Sequence, residues 1–252
     1  GATSMEPLME GLAQAYTTRH EHVTVDMEAL DSQLGLEALL DGEADMAMVS
    51  RELTTEEGEG LLVTLLAWDG IAILVNEENH ILGLGVGEVH SIFAGEILSW
   101  EELRAAPELL ELSEVGVEGS QEGLPSGDIQ VVSREEGSGT RASFEALAMG
   151  EEEVTSTAVV MPTSQAVGEY IAQNPNAMGY LSMGLVLPDT RPLLIQGVEL
   201  NPESVARDDC SLTRPFLLVT RERPDEEAQA FIDFCLSPGG QALVERNYGR
   251  AR

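Results

Sequence analysis

The residues of this chain best suited to chemistry lie together in Ser133-Arg134-Glu135-Glu136-Gly137-Ser138-Gly139-Thr140-Arg141. A short apolar run, Ile129 to Val132, precedes them and reads as a buried strand. A helical pattern follows, with Phe144, Leu147 and Ala148 on one face. A helix start leaves backbone N–H groups unpaired and carries partial positive charge. Small residues let an anion approach that backbone closely. Ser138 and Thr140 add hydroxyl donors, and Arg134 adds a planar fork of N–H groups suited to an oxyanion. The chemistry is therefore capture of a tetrahedral oxyanion. The same residues also fit a capped strand-to-helix turn beside a surface arginine; the adjacent arginine favours the anion site.

Alternating strands and helices must position this stretch. Met5, Leu8, Met9, Leu12 and Tyr16 recur at helical spacing after Thr3-Ser4, with Ser4 as the expected N-cap. Val23 to Met27 alternates like a strand. A helix over Leu34 to Leu40 stops at Gly42, and Met46 to Val49 forms a strand ending in Ser50-Arg51. Leu61 to Ala67 and Ile71 to Val75 read as two strands separated by Trp68-Asp69-Gly70. Short helices are expected over Val86 to Phe93 and Trp100 to Ala105, and a polar surface excursion over Glu108 to Gly127. Thr163 and Ser164 cap a helix through Ile171. Ala177 to Leu181 and Thr213 to Thr220 are strands, Asn201-Pro202 starts a helix, and Pro224 to Leu236 and Pro238 to Arg246 are amphipathic helices. This order predicts an α/β fold with mixed sheets flanked by helices.

Composition narrows the classes. The 252 residues carry a formal charge of −32, and the thirteen basic residues are all arginine. Such a surface repels nucleic-acid phosphates. It does not forbid a small anion, because surface charge is screened beyond about 8–10 Å while local dipoles act at contact. The acidic excess reads as a solvated face, as adaptation to high salt, or as an engineered lysine-free surface. No apolar run is long enough to span a bilayer. Cys210 and Cys235 lack metal-binding spacing; Cys235, on an apolar helical face, reads as a buried free thiol. The lysine of a phosphate-binding P-loop is missing, and Gly137-Ser138-Gly139 is not a nucleophile elbow. His20, His22, His80 and His90 have no tie to a nucleophile. No enzyme, cofactor or metal is expected.

Several stretches carry a resemblance. They are Gly1 to Leu8, Leu39 to Asp45, Ser50-Arg51-Glu52-Leu53, Asp69 to Ile73, Ile92 to Ile97, Val132 to Arg141, Met178 to Ser182, Arg214-Pro215-Phe216 and Ala230 to Phe234 with Leu236-Ser237-Pro238. In this order they resemble the phosphate-binding protein of bacterial and archaeal high-affinity phosphate ABC importers, a class II periplasmic-type solute-binding protein. The resemblance covers essentially the whole chain. It implies a two-lobed fold with a ligand cleft, lobe one being residues 1–75 and 183–252 and lobe two residues 76–182. It implies an extracytoplasmic monomer, with a lipid anchor as one option, that delivers inorganic phosphate to a membrane permease.

Carried over by position, the resemblance implies phosphate contacts from Thr3 and Ser4, Ser32, Ser50 and Arg51, then Arg134, Ser138, Gly139 and Thr140. Phosphate at neutral pH keeps a proton, so its site needs an acceptor carboxylate. Asp69 is the first candidate and Glu136 the second; the alternative for Asp69 is a salt bridge to Arg51. The family's second loop is rich in Gly and Ser, whereas here it reads Ala29-Leu30-Asp31-Ser32-Gln33-Leu34. That departure leaves a second reading open, a structural or interaction protein that reuses the fold with a weakened or lost site.

Overall fold

The computed structural model describes residues 1–105 and 125–251. The expected excursion from Glu108 therefore lies outside the described residues, except for 125–127. In chain order the elements begin with α1 (Glu6–Thr17), α2 (Ser32–Asp41), β1 (Ala47–Val49), β2 (Leu61–Asn76), β3 (Gly83–Leu84), α3 (Val86–Ala94) and α4 (Trp100–Ala105). They continue with β4 (Gln130–Arg134), α5 (Gly139–Phe144), β5 (Val159–Met161), α6 (Ser164–Gln173), β6 (Ala177–Ser182), β7 (Thr190–Pro192) and β8 (Leu194–Ile195). The last are α7 (Pro202–Ala206), β9 (Thr213–Arg221), α8 (Glu226–Leu236), α9 (Pro238–Val244) and β10 (Gly249–Arg250).

Strand β2 joins two differently paired halves of one sheet, whose order is β1-β9-β2-β6-β4-β5. Residues Leu61 to Gly70 pair antiparallel with β9, which continues to β1. Residues Ile71 to Val75 pair antiparallel with β6, which runs parallel to β4, and β4 parallel to β5. The two strands expected here are thus one strand of 16 residues. Asp69-Gly70 reads as a turn signal, but here the chain stays extended. Asp69 lies opposite Arg214, Gly70 opposite Thr213 and Ile71 opposite Ser182, so the ladder passes through without a gap. Gly70 serves a close approach instead: a Cβ there would lie 2.2 Å from Leu200 Cδ1.

Two other expectations change. Val23 to Met27 forms no strand; its apolar side chains pack half-buried against the core without entering a ladder. The helix after the cradle ends at Phe144 and passes into a π-turn over Glu145–Met149. The wider turn rotates the apolar face, so Phe144 and Ala148 are buried while Leu147 points outward.

Each half has its own core. Met5, just before α1, and Leu8, Met9 and Leu12 of α1 pack with Phe216, Leu218, Phe231 and Ile232 on the β9 side. On the β6 side, Ile71, Ile73, Phe93, Trp100, Phe144 and Tyr180 form a second cluster. Leu193, Ile195, Val205, Cys210 and Leu212 belong to this second cluster, β7 pairs with the end of β2, and β8 pairs with β3. Residues 190–212, which the resemblance assigned to lobe one, therefore pack on the β6 side. Both cysteines are buried free thiols, and burial pushes Cys235 up to about 12.

Candidate anion site

The strand-to-helix cradle is built as its residue types require. β4 is buried from Val131 to Arg134 and delivers the chain to the turn. Gly137 adopts φ +89°, a left-handed conformation that glycine takes without strain. Ser138 is the N-cap of α5, its Oγ accepting from the Arg141 N–H at 3.3 Å. Ser138, Gly139 and Thr140 are all buried. Phe144 stacks on Tyr180 with ring centroids 4.0 Å apart, and Tyr180 Oη bonds Ser133 Oγ at 2.8 Å. These contacts seat α5 firmly against β6 and fix where its N-terminus points.

Two segments from the other half meet that N-terminus, and another is tied to them. α2 starts at Ser32, capped by Asp31, whose Oδ1 accepts from the Leu34 N–H at 2.7 Å. Leu30 and Leu34 are exposed, so the bulky residues of the second loop face solvent and leave Ser32 inward, fully buried. The Ser50 N–H donates to Ser32 Oγ at 3.1 Å, and the two hydroxyl oxygens are 3.4 Å apart. Gly139 closes on this pair: a Cβ there would lie 2.1 Å from Ser32 Oγ and 2.6 Å from Ser50 Oγ. The first segment, Ala2 to Met5, is tied to the third by the Ala2 N–H on the Met48 carbonyl at 2.9 Å and bridges Leu30 of the second.

Ser4 departs from its expected role as N-cap. It lies inside a 3₁₀ turn, and the cap of α1 is Met5, without a side-chain hydrogen bond. Ser4 Oγ is buried with no hydrogen-bonding partner among the described residues. A buried hydroxyl without a partner costs free energy, which an added acceptor would relieve.

Arg134 and Arg214 carry the local positive charge, and each is about 1% exposed. Arg134 Nε and Nη2 fork onto Glu135 at 2.9 and 2.6 Å, while Nη1 donates to Ser164 Oγ at 2.9 Å. The second N–H of Nη1 has no protein acceptor among the described residues. Arg214 Nε meets Asp69 Oδ2 at 2.8 Å, and Asp69 Oδ1 accepts from Ser182 Oγ at 2.8 Å. Burial pushes the Asp69 carboxyl up, opposed by the Arg214 guanidinium and the Ser182 hydroxyl. Burial pulls Arg214 down; Asp69 opposes that shift, and the charge of nearby Arg134 adds to it. Each arginine is thus matched by a carboxylate. The remaining attraction for an anion comes from hydroxyls, N–H groups and one helix end, which is how a small anion can be held in so acidic a protein.

The structure brings Ser32, Ser50 and Gly139 into contact, with Ser138 and Thr140 in the same turn as Gly139. Thr3 and Ser4 are buried in the segment beside them. Two candidates are placed elsewhere. Arg51 forks onto Glu57 at 2.7 and 2.6 Å and lines a cleft of about 740 Å³ that Gly137, Ser138 and Arg214 also line; the Arg51 guanidinium holds Glu57 down at about 2. Asp69 pairs with Arg214 rather than Arg51, and both its oxygens have protein partners. Glu136 is exposed at the cleft mouth. Arg214 was missed as a site residue. Its only signal was the Arg-Pro-Phe stretch, which in sequence sits far from every other candidate.

Among the described residues no group of His, Cys, Asp and Glu could hold a metal ion, and no helix is long and apolar enough to cross a membrane. Residues 1–238 match the model of the PBP superfamily domain. Over 104 residues the chain is 39% identical to Phosphate-binding protein PstS 2 of Streptococcus pneumoniae serotype 4, a match covering 41% of this chain and only about a third, 36%, of that relative's length. Among solved structures it is similar to a candidate phosphate ABC transporter substrate-binding protein of Clostridium perfringens with bound phosphate. That likeness has 31% identity, covers 100% of this chain and 98% of the other, and has a TM-score of 0.89. An ABC-type phosphate transport receptor of Vibrio cholerae is 30% identical over 100% and 98% of the two chains, with a TM-score of 0.76.

Proposed function

The chain belongs to the PBP superfamily, and from that premise we propose that it is an extracytoplasmic receptor that captures inorganic phosphate and passes it to an ABC permease. It acts as a binding protein, not an enzyme, and as a monomer. Its two lobes are residues 1–70 with 213–251, and 71–212. The change of ladder partners at Gly70 and Ile71 and the separate cores support this division.

The observation that carries the reading is the convergence of Ser32 and Ser50 from one half on Gly139 from the other, all buried. Such a closed set of small donors, with Arg134 beside it, fits one dehydrated tetrahedral oxyanion. Thr3, Ser4, Ser138 and Thr140 complete the donor set, while Asp69 supports it from outside through Arg214 and Arg51 is taken by Glu57.

A ligand that binds only the folded state raises its melting temperature. At a phosphate concentration of about 100 Kd the expected gain is about 2.7 kcal/mol, or roughly 5 °C for a chain of this size. Differential scanning with millimolar phosphate and with equal ionic strength of chloride reads it directly. Equal melting curves would reject phosphate as ligand and favour a scaffold reused for protein contacts.

A further inference from the structure

The Ser50 carbonyl sits where the two halves are fastened. Ser143 Oγ, on the buried side of α5, donates to it at 3.1 Å, and Arg214 Nη1, on β9, donates at 3.2 Å. Behind Arg214 stand Asp69 of β2 and Ser182 of β6, linked at 2.8 Å each. This chain of bonds runs across the point where β2 exchanges one ladder for the other, since Asp69 faces Arg214 and Ile71 faces Ser182. Ser50, Asp69, Ser182 and Arg214 are at most 1% exposed, and Ser143 is 6% exposed. None of these bonds is needed to form α5 or β9. Ser143 reaches 93 residues back along the chain to make its contact.

We propose that Ser143 is a latch that holds the lobes closed over the bound anion and sets its release rate, with Arg214, Asp69 and Ser182 positioning its acceptor. The proposal rests on the binding function above. Ser50 contributes twice: its hydroxyl faces Gly139 in the cage, while its carbonyl takes the latch. When the lobes part, the Ser143 hydroxyl returns to water, whereas Arg214 stays on the Ser50 carbonyl because both belong to the β9 side. The Ser143 bond therefore stabilises only the closed state. Its loss speeds opening without changing how an anion first meets the open cleft.

The test is stopped-flow binding of inorganic phosphate, read from Trp68, which lines the cleft beside Arg214. Ser143→Ala should raise the dissociation rate about 5- to 10-fold, the worth of one hydrogen bond, with the association rate and the ligand-free melting temperature unchanged. Ser143→Thr, which keeps the hydroxyl, should restore slow release. Ser182→Ala should also speed release, and combined with Ser143→Ala should give less than the product of the two effects, because both act at the Ser50 carbonyl. An unchanged dissociation rate in Ser143→Ala, with the parent protein binding normally, overturns the latch alone. Simple multiplication in the double variant overturns the positioning role of the Asp69 cluster. A parent protein that binds no phosphate overturns the functional reading and the latch with it.

Discussion

Arg134→Ala lowers phosphate affinity by about 100-fold or more, leaving a folded protein. The arginine is buried, and its one Nη1 N–H not used by protein is a charge-assisted donor. Hydrogen bonds to charged groups contribute about 1.5–3 kcal/mol, and 2.7 kcal/mol already corresponds to about 100-fold. Two things spare the fold. Glu135, the partner left behind, keeps 30% of its side chain exposed and can rehydrate. Tyr180 and Phe144 hold the strand and helix together without the guanidinium. Arg134→Lys keeps the charge but loses the fork onto Glu135, and should fall between the two. Titration calorimetry with circular dichroism as a fold check measures both effects; normal affinity in Arg134→Ala would remove this residue from the site.

Gly139→Ala should abolish binding and leave the ligand-free protein at least as stable. The added methyl would lie 2.1 Å from Ser32 Oγ and 2.6 Å from Ser50 Oγ, far inside van der Waals contact, so the lobes cannot reach their closed arrangement. Neither neighbour is the free end of a flexible chain: Ser32 opens α2, and Ser50 is held by Arg214 and Ser143. Alanine is also the better helix former, by about 0.8–1.0 kcal/mol in a helix interior and less at a first-turn position. Gly139 has no left-handed φ to forbid a side chain. Loss of affinity without loss of melting temperature separates blocked closure from general damage. Unchanged affinity would mean that the lobes do not close through this contact.

The parts of the fold legible in sequence were those governed by local rules. Gly42 ends α2 in a left-handed cap, Thr163 and Asn201 cap their helices through side-chain oxygens, and Trp100 to Ala105 is a helix as its spacing suggests. The cradle was legible because its strand, glycine turn and cap are contiguous. Readings failed where partners distant in sequence decide. Asp69-Gly70 carries a turn signal, yet Arg214, 145 residues on, and Ser182 keep it in one long strand. Val23 to Met27 alternates like a strand but finds no strand to pair with. The partner of Asp69 could not be chosen from sequence, since Arg51 is nearer along the chain but is taken by Glu57, six residues away. The second loop looked unfit for an anion because a sequence does not say that Leu30 and Leu34 turn outward while Ser32 turns in.

Isothermal titration with phosphate, on protein unfolded and refolded to strip bound ligand, decides whether the chain is a phosphate receptor. It should be run in moderate and in high salt, with sulfate as the control. The expected result is saturable binding of one phosphate per chain in both salts and none of sulfate. High salt should not abolish it, because the cage works through contact dipoles and paired arginines while the −32 surface charge is screened. Folded protein that gives no heat with phosphate in either salt would mean that the chain is not a phosphate receptor.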